Sequence, residues 1–499
     1  MSSLKEKTAS GLFWAAMNNG SMQILNAIIG IFLARLLSPA DYGLVGMVAI
    51  FTAIASCLQD SGFTSALINL KAPKHNDYNS VFWFSMIMGT SLYVILFFCA
   101  PLIARFYHQD NLTLLCRVIF VCIPLSALGI VPQAYLTKNL IVKPIALQRI
   151  VVLTISGIVG ITLAFKGLGY WALVAQQLIY TGMQNIGKYF LMPFRPTLDI
   201  DFSPVKRMFG FSSKILVTNI ISQLSQNILT VIFGRIFPVK TVGNFTQGWK
   251  WNNMASGLVS GMLAQVAQPV FASTQTEGDR QLHILRKMTR FTAFLVFPAM
   301  FGLAIIAHEF IVLLISDKWI DSVAILQILC VSGAFIPVYL PMQQLIVSKG
   351  RSDIFMWVNI AQIVLQIAVI LVFARQGIIA MVTAYSAYIA LWTVAWQRCA
   401  RKIVDYGFLM LLKDLMPFML AALAACAIAY AVASPFDGLL LRMAIKIVVK
   451  LKCTMPKIKA EMAMATQCLP VGIMARSLRN MAPRKTTSSA SGASMPITT

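Results

Sequence analysis

The stretch Asn19–Gly43, NGSMQILNAIIGIFLARLLSPADYG, occurs a second time in related form in this chain of 499 residues. The second copy is Asn219–Gly243, NIISQLSQNILTVIFGRIFPVKTVG, and it aligns with the first without a gap. The chain is 58% hydrophobic, so matched polar positions are harder to attribute to chance than matched apolar ones. The corresponding positions are Asn19 and Asn219, Gln23 and Gln223, Asn26 and Gln226, Ile28 and Ile228, Arg35 and Arg235, and Gly43 and Gly243. The pattern predicts an internal duplication.

The composition excludes a soluble globular protein of this length. Hydrophobic residues make up 58% of the chain and charged residues only 12%, and the mean hydropathy is +0.76. Soluble domains average about 45–50% apolar and about 25% charged residues. A bilayer accommodates the excess because lipid-facing positions can be apolar as well. The chain is therefore predicted to be an all-α membrane protein.

Apolar segments of about 20 residues, the length that crosses a bilayer, follow one another along the chain. Their connections are short, so no extramembrane domain is expected. A fourteenth segment begins near Leu439 but is interrupted by Arg442 and Lys446. The thirteen complete candidates are 11–34, 43–66, 81–103, 113–136, 145–165, 170–191, 212–234, 248–271, 291–314, 322–347, 354–374, 378–397 and 415–434.

Positive charge is distributed unevenly between the two sides of these spans. The net charge of +24 comes from residues scattered between apolar segments, without the continuous stripe of a nucleic-acid-binding protein. Loops on the side of the N-terminus carry most of them, including Lys287 and Lys402. Because cytoplasmic loops are enriched in Lys and Arg, the N-terminus is predicted to be cytoplasmic. The opposite loops carry only Arg35, Arg105, Lys166, Arg235, Lys240, Lys318 and Arg375.

The repeat and the span count together predict the domain organisation. Six spans separate the two copies, so both run in the same direction and are related by a pseudo-two-fold axis along the membrane normal. The expected fold has two six-helix lobes, residues 1–195 and 196–400, then an accessory helix and an incomplete second helix at 401–449. The basic polar tail, residues 450–499, is expected to be disordered or altered in sequence. The proline-rich linker Pro193–Pro204 is expected to let the lobes move.

Polar side chains repeat at helical spacing inside three of the spans, where positions i, i+4 and i+7 share one face. Two interpretations are open. The side chains either form interhelical hydrogen bonds worth about 1 kcal/mol or less each, or they line a wet cavity that binds sugar hydroxyls. Their recurrence in both copies favours the cavity. They are Asn19, Gln23 and Asn26 in the first span, Asn219, Gln223 and Gln226 in the seventh, and Asn359 and Gln362 in the eleventh.

Ionisable residues within the spans form a second set of candidates. Arg117, Arg149 and Lys250 either extend to the lipid headgroups or face a cavity for an anionic substrate, where arginine suits pyrophosphate. Asp60 lies well within a span and is either an ion-coupling residue or a hydrogen-bond acceptor at a helix end. The cysteines and histidines have no metal-ligand spacing, so neither a metal nor a cofactor is expected.

Four short motifs resemble those of bacterial polysaccharide-transport flippases. They are Leu33–Leu44 (LARLLSPADYGL), Asp60–Phe63 followed by Ala66–Ile68, Val131–Ala134 and Gly243–Trp249. Over roughly residues 1–440 the chain is similar to the Wzx-type branch of the multidrug/oligosaccharidyl-lipid/polysaccharide exporter superfamily. The resemblance implies two six-helix lobes, often with two further helices. It also implies transport of undecaprenyl-pyrophosphate-linked oligosaccharides across the bacterial inner membrane.

The expected function is export of lipid-linked oligosaccharide by alternating access, for surface polysaccharides such as O-antigen or exopolysaccharide. The expected partners are the lipid-linked substrate, the bilayer and other polysaccharide-assembly proteins. Two alternatives are a small-molecule/cation antiporter of the same superfamily and a membrane-bound polysaccharide polymerase or glycosyltransferase. The sequence contains no GxSxG, P-loop or HExxH motif, and its outer loops are short, which favours a transporter over an enzyme.

Overall fold

The first half of the chain folds into helices that account for its six predicted spans. The computed structural model describes residues 4–139, 141–199, 201–272, 278–450 and 452, and the regular elements in these residues are helical. Nine helices represent the six spans because the second and fourth spans are broken. They are α1 (Leu4–Leu36), α2 (Pro39–Asp60), α3 (Phe63–Asn69), α4 (His75–Tyr107), α5 (Leu112–Ile119), α6 (Cys122–Ala127), α7 (Ile130–Lys138), α8 (Val142–Phe165) and α9 (Tyr170–Gly187).

The second half repeats the pattern with longer, mostly unbroken helices. A π-helical turn, Phe310–Ile315, follows the third of them. Two accessory helices come last, and residues beyond 452, including most of the predicted tail, lie outside the described part of the chain. The helices are α10 (Ser203–Ile236), α11 (Val239–Ala272), α12 (Gly278–Glu309), α13 (Asp321–Ser348), α14 (Ser352–Val372), α15 (Ile378–Val404), α16 (Phe408–Ala433) and α17 (residues 439–450).

Each of the thirteen predicted spans coincides with a helix or a broken helix. Within the described residues, nine helices are long and apolar enough to cross a membrane individually, or ten with one bent pair. Helices α1, α9 and α11 are not among them. The apolar part of α1, Gly20–Leu36, is too short, and polar residues such as Asn185 in α9 and Lys250 and Asn252 in α11 lower the hydropathy of the other two. The chain is a multi-pass membrane protein with the two-lobe arrangement of six plus six spans and accessory C-terminal helices.

The fourth span was predicted as one helix and is instead bent by 40° between α6 and α7. Pro132 has no N–H for the carbonyl of Leu128, one turn earlier. The hydroxyl of Tyr189 donates to that carbonyl instead, at 2.8 Å. Asn185 similarly donates to the carbonyl of Leu125, at 3.1 Å. Two side chains, one in the last turn of α9 and one just after it, thus provide hydrogen bonds for carbonyls near the bend.

The two halves meet where α2 crosses α11. A Cβ atom on Gly43 would overlap the carbonyl of Val239, and one on Gly243 would overlap the carbonyl of Pro39. Gly46 meets Thr246 in the same way, with the threonine hydroxyl 2.7 Å from an added Cβ. At the repeat offset of 200 residues, the Gly43–Val239 and Gly243–Pro39 contacts are equivalent to each other, and Gly46 and Thr246 occupy matching positions. This reciprocity is expected of two helices packed across a pseudo-two-fold axis.

Candidate functional site between the two lobes

The repeated segment forms the helical corner where α1 ends and α2 begins. Ser38 and Asp41 make a capping box, in which the Asp41 carboxylate accepts from the Ser38 backbone N–H at 2.8 Å. Pro39 occupies the first turn of α2, where its missing N–H is tolerated. We term the membrane face that contains this corner the upper face, and the opposite one the lower face.

Arg35 joins this corner to the other lobe. Its Nε donates to the carbonyl of Leu314 at 2.7 Å, and a terminal nitrogen donates to the carbonyl of Leu313. In return, Lys318 Nζ donates to the Arg35 carbonyl at 2.5 Å, and Trp319 Nε1 donates to the Ala34 carbonyl at 2.8 Å. These four hydrogen bonds, which we term the Arg35 latch, hold the end of α1 against the segment after α12.

The repeat-equivalent residue Arg235 makes a second cross-lobe contact on the same face. Its terminal nitrogen lies 2.8 Å from His108 Nδ1, and its guanidinium carbon lies 5.7 Å from the centre of the Phe106 ring. Beside it, Gly234 packs against the ring of Tyr107. The two arginines that match in the repeat therefore both bridge the lobes on the upper face. We term the region where α1 and α2 of the first lobe pack against α11 of the second the seam.

Lys250 lies in the seam next to α1. Its Nζ is 2.6 Å from the position of a Cβ atom on Gly30, and 5.7 Å from the centre of the Tyr42 ring. Asn26 and Gln23 precede Gly30 by four and seven residues, so they share its helix face. Both side chains are partly buried. The structure thus aligns the predicted polar face of α1 with a cation from the other lobe. Asn19 continues this face, but its side chain lies outside the described residues.

The second predicted stripe, on α10, makes its hydrogen bonds within the helix. Asn227 donates to the carbonyl of Gln223 at 3.0 Å, and Gln226 lies 3.5 Å from the hydroxyl of Ser222. Asn219 and Gln223 are partly buried and Gln226 is exposed. These side chains make no hydrogen bond to the other lobe in the described residues.

The third stripe belongs to the interior of the second lobe. Asn359 donates to the carbonyl of Phe355, one turn earlier, at 2.7 Å. Gln362 is buried, and its carbonyl accepts from the hydroxyl of Tyr388 on α15 at 2.8 Å. Because this bond uses the main-chain carbonyl of Gln362, it does not distinguish the two interpretations of the polar side chains. Within the described residues, neither Asn359 nor Gln362 has a hydrogen bond to Lys250.

Arg117 and Arg149 are partly buried within the first lobe. The Arg117 guanidinium lies 4.5 Å from the centre of the Phe97 ring, and Arg149 interacts electrostatically with the buried Lys188 at the end of α9. Residues 111–198 contain no Asp or Glu. Neither arginine forms an ion pair with a carboxylate in the described residues, and the Nε of each is buried without a hydrogen-bond partner there. Within the described residues, no carboxylate therefore neutralises the charge of either arginine.

Asp60 has the geometry of a helix-end acceptor. Its carboxylate accepts from the backbone N–H of Thr64 at 3.3 Å and from the Thr64 hydroxyl. These contacts cap α3 after the break at Ser61 and Gly62, which both have positive φ. The position of Asp60 therefore has a structural explanation, and its role in ion coupling remains a hypothesis.

The sequence analysis missed the attachment of the linker to α4 on the lower face. Asn79 donates to the carbonyl of Asp199 at 2.5 Å and accepts from the Thr197 N–H at 2.9 Å, while Trp83 donates to the Thr197 carbonyl at 2.7 Å. Hydrogen bonds from Ser203 and then Asn76 hold the pKa of the Asp201 carboxyl below its ordinary value. The polar residues at the start of α4 were the available signal. The linker is fixed to the first lobe along this length.

The chain is similar to proteins of polysaccharide assembly. The lipopolysaccharide biosynthesis protein WzxC of Escherichia coli (strain K12) is 23% identical, over 74% of this chain and 76% of its own length. The teichuronic acid biosynthesis protein TuaB of Bacillus subtilis (strain 168) is 24% identical, over 81% and 82%. The succinoglycan biosynthesis transport protein ExoT of Rhizobium meliloti (strain 1021) is 22% identical, over 64% and 65%.

Solved membrane transporters share the fold. The lipid II flippase MurJ in an inward closed conformation superposes with a TM-score of 0.73, covering 90% of this chain and 99% of its own at 14% identity. An inward-facing MATE-family multidrug transporter gives 0.61, covering 78% and 98% at 16% identity. The family model described as "Polysaccharide biosynthesis protein" matches residues 32–324. Since this match covers more than half of the sequence, the chain belongs to the polysaccharide biosynthesis protein family.

Proposed function

We propose that this protein is a flippase that moves undecaprenyl-pyrophosphate-linked oligosaccharides across the bacterial inner membrane by alternating access. The observation that carries the proposal is the seam itself, where Lys250 meets the polar face of α1 below two cross-lobe arginine contacts. The relatives support it, because their names describe biosynthesis or transport proteins for lipopolysaccharide, teichuronic acid and succinoglycan. A lipid II flippase with the same fold supports the lipid-linked class of cargo.

In this proposal the N-terminus is cytoplasmic, so the upper face is periplasmic. With Arg35 and Arg235 engaged, the seam is closed towards the periplasm and substrate enters from the cytoplasmic side. Release then requires both arginine contacts to break while the lobes close below. Each contact joins a charged donor to a small number of neutral acceptors. The closed and open states can therefore differ by only a few kcal/mol in free energy, as interconversion requires.

The head group of the substrate fits the chemistry of the predicted cavity residues. Asn and Gln side chains can donate to and accept from sugar hydroxyls. Lys250 and the arginines of the first lobe, Arg117 and Arg149, would bind pyrophosphate by charge-assisted hydrogen bonds. A cation that faces water in a cavity costs much less than one that faces lipid. The polyprenyl chain would stay in the bilayer during the transfer.

A second candidate, a small-molecule or cation antiporter, is favoured by the fold shared with a multidrug transporter. A polymerase or glycosyltransferase is the rival from another class. Purified protein in proteoliposomes distinguishes the three when supplied with radiolabelled lipid-linked oligosaccharide and separately with small cations. A flippase transfers the label to the opposite leaflet without lengthening the glycan. Chain growth would favour the polymerase, and cation exchange without lipid transfer would favour the antiporter.

A further inference from the structure

The C-terminal helix α17 places a buried lysine against α12. Lys446 Nζ lies 2.5 Å from Glu309 Oε1 and 2.9 Å from the carbonyl of Ile305. Only 7% of the Lys446 side chain and 5% of the Glu309 side chain are exposed. Apolar residues of similar size would often be as stable as such a buried pair or more stable, because both charges lose their hydration. Its presence therefore calls for an explanation other than stability.

The contact between α17 and α12 continues beyond this pair. Lys450, one turn after Lys446, lies so close to Gly302 that a Cβ atom there would overlap its ammonium group. Gly302, Ile305 and Glu309 lie on one face of α12 at spacings of three and four residues. The interrupted fourteenth segment of the sequence is thus a packed helix over residues 439–450. Its lysines, which interrupt the apolar run, are the residues that make the contact.

Glu309 is the last residue of α12 before the π-helical turn Phe310–Ile315. Such turns occur mostly inside or at the ends of helices and are frequent at functional sites. The carbonyls of Leu313 and Leu314 in this turn are the acceptors of Arg35 from the other lobe. The buried ion pair therefore fixes the end of α12 directly before the turn whose carbonyls accept the hydrogen bonds of Arg35.

A second ionic contact holds the opposite end of α12. Asp414 on α16 is fully buried and accepts from Arg286 at 3.0 Å, from Arg290 at 2.6 Å and from the hydroxyl of Tyr406 at 3.1 Å. At 1.5 Å of rise per residue, Arg286 and Glu309 are about 35 Å apart along the helix. The accessory helices thus hold α12 at both ends, and only the Glu309 end adjoins the latch.

We propose that Glu309 and Lys446 are positioning residues for the Arg35 latch, so that α17 controls how firmly the upper face closes. Neutral side chains in place of the pair can keep the packing but lose the directional hydrogen bonds of Lys446 to Glu309 and the Ile305 carbonyl. The π-helical turn can then move, and Arg35 loses its two carbonyl acceptors on the other lobe. The proposal rests on the proposed function only in treating the latch as part of alternating access. The contact geometry itself does not depend on the substrate.

Hydrogen–deuterium exchange of the purified full chain in lipid nanodiscs, without substrate, tests this. Glu309→Gln and Lys446→Met should each speed exchange in residues 310–320 and in residues 33–38 of the other lobe. The expected increase in exchange rate is about fivefold, which corresponds to the loss of the stabilisation that one hydrogen bond provides. The double variant Glu309→Lys with Lys446→Glu should restore slow exchange in part, because the ion pair re-forms with its charges exchanged but the hydrogen bond to the Ile305 carbonyl does not.

Two controls separate positioning from general stability. Asp353→Asn breaks the exposed Arg351–Asp353 pair on the lower face, 3.2 Å apart, and should leave both segments unchanged. The double variant Glu309→Gln with Lys446→Met replaces the charges without leaving one unpaired, so it should fold even if the single variants do not. Faster exchange in both segments of this variant supports the proposal.

Unchanged exchange at residues 33–38 in the double neutral variant would overturn the proposal, whatever happens within α12. An increase in exchange confined to residues 302–320 would mean that the pair stabilises only its own lobe. Because no substrate is present, neither result depends on flippase activity. The proteoliposome transfer assay reports separately on the proposed function, so the two ideas can fail independently.

Discussion

At the scale of single residues, the closest approach of the two lobes depends on glycine. Gly243→Ala should destabilise the protein by about 1–3 kcal/mol, the usual cost of forcing extra atoms into a packed contact. The new methyl group would overlap the carbonyl of Pro39, which is backbone and cannot rotate away. Thermal unfolding in detergent measures the effect. Gly257→Ala on the same helix is the matched control, since a Cβ atom there meets nothing within 4 Å. An equal loss in both variants would contradict the crossing geometry.

Lys250 provides a test of the charge in the seam. Lys250→Met keeps the length of the side chain and removes its charge, so transfer of lipid-linked oligosaccharide should fall at least about tenfold, a loss of roughly 1.4 kcal/mol of binding. Lys250→Arg should retain part of the activity because the charge remains. The proteoliposome assay and the amount of inserted protein are measured together. Lys166→Met, at an exposed position on the upper face, is the control. Normal transfer by Lys250→Met would mean that the charge of Lys250 is not needed for transfer and that its side chain contributes only to packing.

At this scale, the sequence predicted which residues share a helix face better than it predicted which residues that face contacts. The spacing of Gln23 and Asn26 places them on one side of α1, and the structure adds Gly30 and Lys250 to that side. The same spacing rule places Asn359 and Gln362 on one face of α14, where Gln362 is buried and its main-chain carbonyl accepts from Tyr388 of α15. Helical periodicity defines which residues share a face. It cannot say whether that face meets a cavity or another helix, because this depends on packing between elements distant in sequence.

At the scale of elements, the linker between the lobes is attached to the first lobe, which its proline-rich composition did not indicate. Proline-rich sequence predicted a loop that lets the lobes move, yet Asn79 binds the backbone of both Thr197 and Asp199. Asn79→Ala would leave those groups unpaired and should cost about 1–3 kcal/mol. Limited proteolysis of inside-out vesicles should then cleave residues 195–202 faster. Asn111→Ala, at a helix start without a side-chain cap, should not change cleavage. Equal cleavage in wild type and Asn79→Ala would mean that the linker is held by other contacts.

The broken fourth span also marks a limit of sequence analysis. Pro124 and Pro132 were visible in the predicted span 113–136, but prolines within membrane helices are common because neighbours satisfy the freed carbonyls. The position of the bend depends on Asn185 and Tyr189, whose donors reach those carbonyls from about 60 residues away. Local sequence shows where a helix can bend, and the partners that permit it come from the fold.

At the scale of the whole molecule, orientation in the membrane is the first property to test. Cysteines introduced at Lys287 and Lys402 should react with a membrane-impermeant maleimide only from the cytoplasmic side. The reason is the concentration of Lys and Arg in the loops of that side. Intact cells and inside-out vesicles give the two measurements, with the unmodified chain as the blank for its native cysteines. Labelling of either position in intact cells would reverse the proposed orientation and the assignment of the upper face.

The duplication is the property of the whole molecule that the sequence predicted most directly. Arg35 and Arg235 are equivalent in the repeat, and each contacts the other lobe on the upper face. Because the two contacts oppose the same opening, removing one should expose the seam partly. Removing both, with Arg35→Gln and Arg235→Gln, should expose it much more.

Met47 is a suitable reporter because it is 1% exposed and lies against Gly234, beneath the Arg235 contact. With the arginines intact, a cysteine at Met47 should resist a periplasmic, membrane-impermeant maleimide. The double glutamine variant should label at least about tenfold faster, since a shift of roughly 1.4 kcal/mol in favour of the open state raises its population by that factor when it is rare. Arg375→Gln, another arginine predicted on the periplasmic side, should leave the rate unchanged. Slow labelling in the double variant would mean that helix packing at Gly43 and Gly243 closes the upper face without the arginines.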